Sequence, residues 1–473
     1  MVRAFAPQAV AFTFGPAPDP LLGLEPEPEP RGGGSAPSLL RIRVVTWNVG
    51  EHDLAAGTIT PADLRSLLQP AADAADASGG TPDLIAVGLQ EVEMSAEAFG
   101  ANVMERVGDA VRELEGAAEP DASKLRKIET VKGEAWARAL AAAAGELGYR
   151  EVAVQQMMGV FLGVFVRSDR YGFISDVVPQ TVGCGTGLSS GVDGFANGIE
   201  KVMGAGSRLG GLIAGARGLA EDMRGIGLPE TGNKGACGIR MMMHGQSLVL
   251  VAAHLAAGHK QISRRESDWR HIEKSLRFDP QGEQRRREKE AEAPPMRTAD
   301  ISAFFGDLNY RCELPPEETA AALTASVEQD RQAGLDSGSE GSCVQGTVLG
   351  LLAHDQLCAM RERGDGACDG WLEAPVTFAP TYKYTVGSDD YDIAPPKARS
   401  PSWTDRILFQ SAGGGSGGSR LAGRGYSARH EAAWRVSDHR PVTLLLEAAL
   451  PTAEQQRARD LRVLGTHLTP AVR

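Results

Sequence analysis

The sequence has little that would direct it to a membrane, a disulfide-stapled fold or a nucleic acid. No apolar run approaches the ~20 residues a membrane helix needs, so no spanning segment is expected. Six cysteines (Cys184, Cys237, Cys312, Cys343, Cys358, Cys368) form no C-x-x-C pair and no regular spacing, which excludes an obvious disulfide framework or zinc site and suits a reducing compartment. Basic charge is in deficit: 49 Lys and Arg against 61 Asp and Glu give a net charge of −12. Bulk nucleic-acid binding normally leaves a basic footprint, so no nucleic-acid partner is expected. An anionic substrate stays open, because a metal ion and a few convergent cations invert the field locally. No basic stretch followed by an apolar run opens the chain, and its end, Ala471-Val472-Arg473, is not a prenylation box. A cytoplasmic protein is expected, at most peripheral to the cytosolic face of a membrane.

What is there suits a globular α/β protein. The 473 residues are 42% hydrophobic and 23% charged, enough to bury roughly three-quarters of the surface of the unfolded chain. Aromatics make up only 5% while glycines number 57, which suggests irregular inserts on a compact body. Residues 1–40, with Pro-acid pairs from Glu25 to Pro30 and then Gly32-Gly33-Gly34, read as a disordered leader. Residues 41–448 read as one catalytic domain and 449–473 as a tail. Within the domain, inserts are expected at 183–230, 279–296 and 411–419, and helices at 101–115, 134–147 and 260–277, the last a charged surface helix. The recurrent theme is a short apolar strand ending in polar residues: before Asn48, before Gln90-Glu91, before His254, before Asp307 and around Asp405-Arg406. Such ends converge on one rim of a packed sheet, where α/β ligand sites tend to lie.

Phe305-Gly-Asp-Leu-Asn-Tyr-Arg311 places Asp307 and Asn309 two positions apart at a strand end, hence on one side. A carboxylate there takes a proton from water, and a carboxamide donates to a phosphate oxygen. Ser437-Asp438-His439 precedes another apolar strand and offers a carboxylate and an imidazole to a metal-and-phosphate site. Each string taken alone also suits a turn, a cap or a solvated strand end. Scattered basic residues around Tyr382-Lys383-Tyr384, Lys397, Arg399 and Arg406 would usually be solvent-facing.

Their joint order is more specific. WNVG at 47–50, LQEVE at 89–93, TGNKGA at 231–236, AAHLAAG at 252–258, FGDLNYR at 305–311, HDQL at 354–357, FAPTYKY at 378–384, KARSPSWTDRIL at 397–408 and SDHRPV at 437–442 occur in that sequence. Over about residues 41–448 this resembles the inositol polyphosphate 5-phosphatases of the endonuclease/exonuclease/phosphatase superfamily.

The resemblance implies a four-layer α/β/β/α sandwich of two mostly antiparallel sheets, with the site at their shared rim. It implies Mg²⁺ as cofactor, held by Glu91 with Asn48 beside it and Asp438 nearby. Asp307 would activate the attacking water, Asn309 and His254 would donate to the scissile phosphate, and His439, its ring held by Asp405, would stabilise developing charge. Tyr382, Lys383 and Lys397 would grip a neighbouring 4-phosphate, with Arg406, Asn233 and Lys234 also facing substrate. The implied reaction is hydrolysis of the 5-phosphate of phosphoinositides or soluble inositol polyphosphates, with peripheral membrane contact. No C-x₅-R loop is present, which counts against a cysteine-phosphatase mechanism. Thr404, where the family often has Cys, and Ala303, where it often has an aromatic, read as packing differences. The competing readings are a nuclease of the same superfamily, or an inactive phosphoinositide-binding module.

Overall fold

The computed structural model describes residues 39–69, 81–95, 125–184, 233–278, 295–334, 342–364, 366–396, 398–412 and 421–451. The expected leader up to residue 38, the helix at 101–115, Lys397, nearly all of the three inserts and nearly all of the tail lie outside the described residues, while Leu39 and Leu40, read as the leader's end, already belong to the first strand.

Two mixed sheets carry the fold. The first has seven strands: β1 (Leu39–Asn48), β2 (Leu84–Gln90), β3 (Arg126–Lys127), β4 (Tyr149–Met157), β5 (Val160–Arg167), β11 (Leu421–Ala428) and β12 (Val442–Ala449), in the order β11-β12-β1-β2-β5-β4-β3. The second has five: β6 (Ile174–Gly183), β7 (Gly235–Met243), β8 (Gln246–His254), β9 (Ile301–Asp307) and β10 (Asp405–Gln410), in the order β10-β9-β8-β7-β6. Only β1–β2, β3–β4 and β8–β9 run parallel; the other pairs are antiparallel.

The sequences of these strands make them two-faced. Along β1, Ile42 and Val44 face the other sheet while Val45 and Trp47 face helices, as the two-residue period of a strand requires. Between the sheets, Val44, Ala86, Leu162, Leu250, Phe305 and Leu444 are fully buried. Outside the first sheet, Val87 and Phe161 pack on α1 (Pro61–Leu68) and α2 (Val131–Glu146) through Leu67, Trp136 and Leu140. Outside the second, Val251 and Phe304 pack on Trp269 and Ile272 of α3 (Ile262–Ser275). Beyond α3 come a short turn of helix, α4 (Pro295–Thr298), then α5 (Pro316–Ala333), α6 (Cys343–Leu352) and α7 (Gln356–Arg363). This is the expected four-layer sandwich. Each fully buried large apolar side chain contributes roughly 1.5–3 kcal/mol, so the three clusters dominate stability. Close sheet approach explains Gly88: a Cβ there would lie 2.7 Å from the Phe305 ring and 2.8 Å from the Ala252 Cβ.

The third expected helix is present as α3, but it is not simply a charged surface helix. Arg265, Glu266, Asp268 and Glu273 are buried. Arg265 donates to the carbonyls of Ala256 and Gly258, and Asp268 accepts from the Ala256 N–H, so this face clamps the loop that follows His254. Charge patterning missed this, because the partners are backbone groups of the preceding loop, which carry no charge to read.

Candidate active site

Strand register gathers the polar strand ends. Asn48 at the end of β1 pairs with Gln90 at the end of β2; His254 of β8 pairs with Asp307 of β9, and Asp307 also pairs with Asp405, the first residue of β10. Gly235 opposite His254 brings Lys234 to the same edge, and β12 begins just after His439. Gly306 permits the β8–β9 approach: it has φ +150°, and a Cβ would lie 1.8 Å from the Ala253 carbonyl oxygen.

Asp307 is the hub. Its Oδ2 accepts from Asn48 Nδ2 at 3.0 Å and lies 3.3 Å from His254 Nε2 and 3.9 Å from His439 Nε2. Its Oδ1 accepts from the Asn309 N–H at 3.1 Å. Burial would raise its proton affinity, but the hydrogen bond from His254 and the charges of His439 and Lys234 hold it well below the usual carboxylate range. Asn309, at φ +59°, donates from Nδ2 to the Leu255 carbonyl at 3.1 Å.

Behind His439 stands Asp405. His439 Nδ1 lies 2.9 Å from Asp405 Oδ2, which also accepts from Thr381 Oγ1 at 2.6 Å and Thr404 Oγ1 at 2.9 Å. Burial alone would strip the imidazole of its proton, yet the charge and hydrogen bond of Asp405, with Asp307 and Asp438, raise it to about 10. Thr404 is therefore not a packing difference: its hydroxyl belongs to the shell that holds this carboxylate. Trp47 anchors the same corner. Its Nε1 donates to the His439 carbonyl at 3.2 Å, and its ring meets Trp136 and Trp434 edge-on. Ser437 ties the two strand ends by donating to the Asn48 carbonyl and accepting from the His439 N–H.

On the other side, Lys234 Nζ lies 2.5 Å from His254 Nε2, and burial followed by the charge of Lys234 lowers the proton affinity of His254. Burial also lowers Lys234 itself. Glu91 Oε1 is 3.8 Å from His254 Nε2, with its side chain one-third exposed at the rim. Glu91 has φ +54°, a left-handed conformation uncommon for a residue with a Cβ, and such strain concentrates at functional sites. Asp438 lies by the Gly50 turn, its Oδ1 3.6 Å from where a Gly50 Cβ would stand.

Tyr382 stacks obliquely on His439, ring centres 4.5 Å apart. Lys383 Nζ pairs with Asp392 at 2.5 Å, and Asn233 is exposed next to Lys234. Arg406 must be corrected. It is fully buried, its Nε 2.6 Å from Glu373 and its Nη1 2.9 Å from Asp355, and its role is to cross-brace the second sheet rather than to face substrate. Its place within the motif suggested a site cation, but strand alternation turns it away from Asp405. Thr381 and Arg311 were the residues that sequence reasoning passed over; both lie inside motifs it had singled out.

Two donor sets could hold a cation. Asp307, Asp405 and His439 offer ligand atoms all within 4.8 Å of one another. His439 is a protonated donor there, with Nδ1 already committed to Asp405, so this trio reads as an acid–base group. Glu91, one-third exposed at the rim, and Asp438 carry carboxylates and the buried Asn48 a carboxamide, oxygen donors of the hard kind that suits a small divalent cation.

Comparison with known proteins agrees with this geometry. The profile of endonuclease/exonuclease/phosphatase family 2 matches residues 45–445. The chain belongs to that family. Human synaptojanin-1 is 33% identical over 262 residues, 55% of this chain and 12% of that protein. Mouse type II inositol 1,4,5-trisphosphate 5-phosphatase is 27% identical over 382 residues, 80% of this chain and 28% of that protein. The chain thus matches only a minor part of these relatives' length. Among solved structures, the inositol polyphosphate 5-phosphatase domain of SPsynaptojanin, in complex with inositol (1,4)-bisphosphate and calcium ion, shares the fold with a TM-score of 0.54 at 21% identity, over 91% of this chain and 93% of that one. Among the described residues no helix is long and apolar enough to cross a membrane.

Proposed function

We propose that the chain is a Mg²⁺-dependent phosphomonoesterase that hydrolyses the 5-phosphate of phosphoinositides, such as phosphatidylinositol 4,5-bisphosphate, or of soluble inositol polyphosphates. The observation that carries this reading is one buried carboxylate, Asp307, flanked by His254 and His439 within 3.9 Å at the rim that Glu91 and Asn48 share. Similarity to named 5-phosphatases supports the substrate class.

A phosphate monoester dianion repels a nucleophile, so the reaction needs neutralisation and in-line positioning more than covalent help. Asp307, held ionised, orients the water and accepts its proton as the new P–O bond develops and the ester bond breaks. His439, held as a cation by Asp405, donates Nε2–H to the phosphoryl oxygens, and Asn309 adds an amide N–H. Glu91, Asn48 and Asp438 would hold Mg²⁺, which supplies further charge neutralisation when bound. Lys383 and Tyr382, with Lys397, grip the neighbouring phosphate, while Lys234 and Asn233 line the other flank. The negative net charge disfavours nucleic acid, and six free cysteines suit cytosolic work at or near a membrane surface.

The deciding experiment is phosphate release from a panel of inositol phosphates and short-chain phosphoinositides, with Mg²⁺ and with chelator. Metal-dependent release confined to substrates bearing a 5-phosphate is expected. Cleavage of plasmid DNA without phosphate release from any of the panel would replace this reading with a nuclease.

A further inference from the structure

Arg311 has no role in the scheme above, yet it touches both halves of the site. It is 7% exposed. Its Nε donates to the Asn309 carbonyl at 3.2 Å, its Nη2 donates to Asn309 Oδ1, and its Cζ lies 4.3 Å from the centre of the Tyr382 ring. Its Nη1 is buried with no hydrogen-bond partner among the described residues. Arg406 shows what a purely structural buried arginine looks like here, since two carboxylates neutralise it. Arg311 makes no such ion pair among the described residues, and a buried uncompensated cation is costly.

A carboxamide is ambiguous: rotated by half a turn, it presents an acceptor where it had presented a donor. At Asn309 that ambiguity is removed from both sides. Arg311 is donor-only and takes the oxygen; the Leu255 carbonyl is acceptor-only and takes one N–H. The remaining amide hydrogen is then left as a donor. A phosphoryl group requires that polarity, because an amide oxygen facing a dianion would repel it.

We propose that Arg311 is a positioning residue, fixing the amide polarity of Asn309 toward the reacting phosphate. The inference rests on the hydrolase reading and adds a residue to it. Lysine cannot replace arginine here, because one ammonium cannot make both the Nε and Nη2 contacts in one plane.

The test is a double-mutant cycle on inositol 1,4,5-trisphosphate hydrolysis, with Arg311→Lys, Asn309→Ala and the pair, each checked by thermal melting. Arg311→Lys should lower kcat on the order of 10²-fold with KM little changed, as misorientation of one reacting group does. In the Asn309→Ala background the same substitution should cost almost nothing further. If it costs the same factor in both backgrounds, or leaves kcat at the wild-type value, the positioning role is wrong. Should Arg311→Lys fail to fold, Arg311→Gln takes its place in the cycle. A folded wild-type protein that releases no phosphate from any of the panel sinks the hydrolase reading, and this inference with it; normal wild-type turnover with additive mutants sinks the inference alone.

Discussion

Two histidines flank Asp307, and they are tuned in opposite directions. His439 and His254 both lie at the ends of buried strands or beside them, and burial penalises the charged form of each. The difference is what stands behind the ring. Behind His439 is Asp405, a carboxylate fed by two threonine hydroxyls, and the imidazole is raised to about 10. Beside His254 is Lys234, and the imidazole is pushed below its ordinary value. One site therefore keeps a charged donor on one flank of its carboxylate and a neutral one on the other. Identity of side chain does not set role; the neighbour does.

The comparison is broken most severely at its hub. Asp307→Ala should lower kcat by about 10²–10⁴, the range for loss of a general base, with near-normal KM; turnover within a few-fold of wild type would remove Asp307 from the chemistry. Next comes the tuning itself. His439 has its affinity raised, so the folding stability its proton contributes is fully present below about pH 6.5, the ordinary imidazole value, and is lost as pH rises through about 10, where the ring itself loses its charge. Activity should accordingly fall on the alkaline side as His439 deprotonates. Asp405→Asn removes the charge that holds the proton. It should cost about 10²–10³ in kcat and move the alkaline limb of the pH–kcat profile toward neutrality. An unmoved limb would mean that His439 is not the group that titrates.

How much of this was legible beforehand depended on whether the interaction was local. A rim of converging strand ends followed from apolar runs ending in polar residues, because strand period and burial are written in the order of residues; the two-sheet sandwich was implied only by the resemblance. That Asp307 would lie beside His254 and Asp405 required the pairings of β9 with both β8 and β10, long-range contacts that no local pattern writes. Arg406 was misread because it follows Asp405 directly, and alternation along a strand sends consecutive side chains to opposite faces. Thr404 and Thr381 were invisible as ligands of Asp405: a hydroxyl in a motif gives no sign of which carboxylate it will meet. The buried face of α3 was hidden for the same reason: Glu266 meets the Tyr310 hydroxyl, Glu273 meets Arg297, and Arg265 meets the carbonyls of Ala256 and Gly258, partners that charge patterning along the helix does not reveal.

The two smaller effects sharpen the comparison without dismantling it. Lys383 stands outside the Asp307 cluster, its ammonium on Asp392; burial would lower its affinity, but that hydrogen bond raises it, so it stays a cation. Lys383→Ala should raise KM by about tenfold for 4,5-bisphosphates, roughly one point-charge contact, and hardly at all for substrates without a 4-phosphate. Equal loss on both would cancel the assignment.

Thr404→Val is the finest probe. It removes one hydroxyl donor from Asp405 while leaving the charge, the second threonine and the His439 contact in place. Loss of a hydrogen bond to a buried carboxylate should cost about 1.5–3 kcal/mol of stability in urea unfolding. A carboxylate relieved of one donor interacts more strongly with its remaining partner, so the alkaline limb should shift slightly upward, opposite in sign to Asp405→Asn. Opposite shifts from two substitutions on the same carboxylate would separate charge from packing as the origin of the difference between the two histidines; a downward shift from Thr404→Val would show that the threonine holds the geometry of the pair rather than competing for its oxygen.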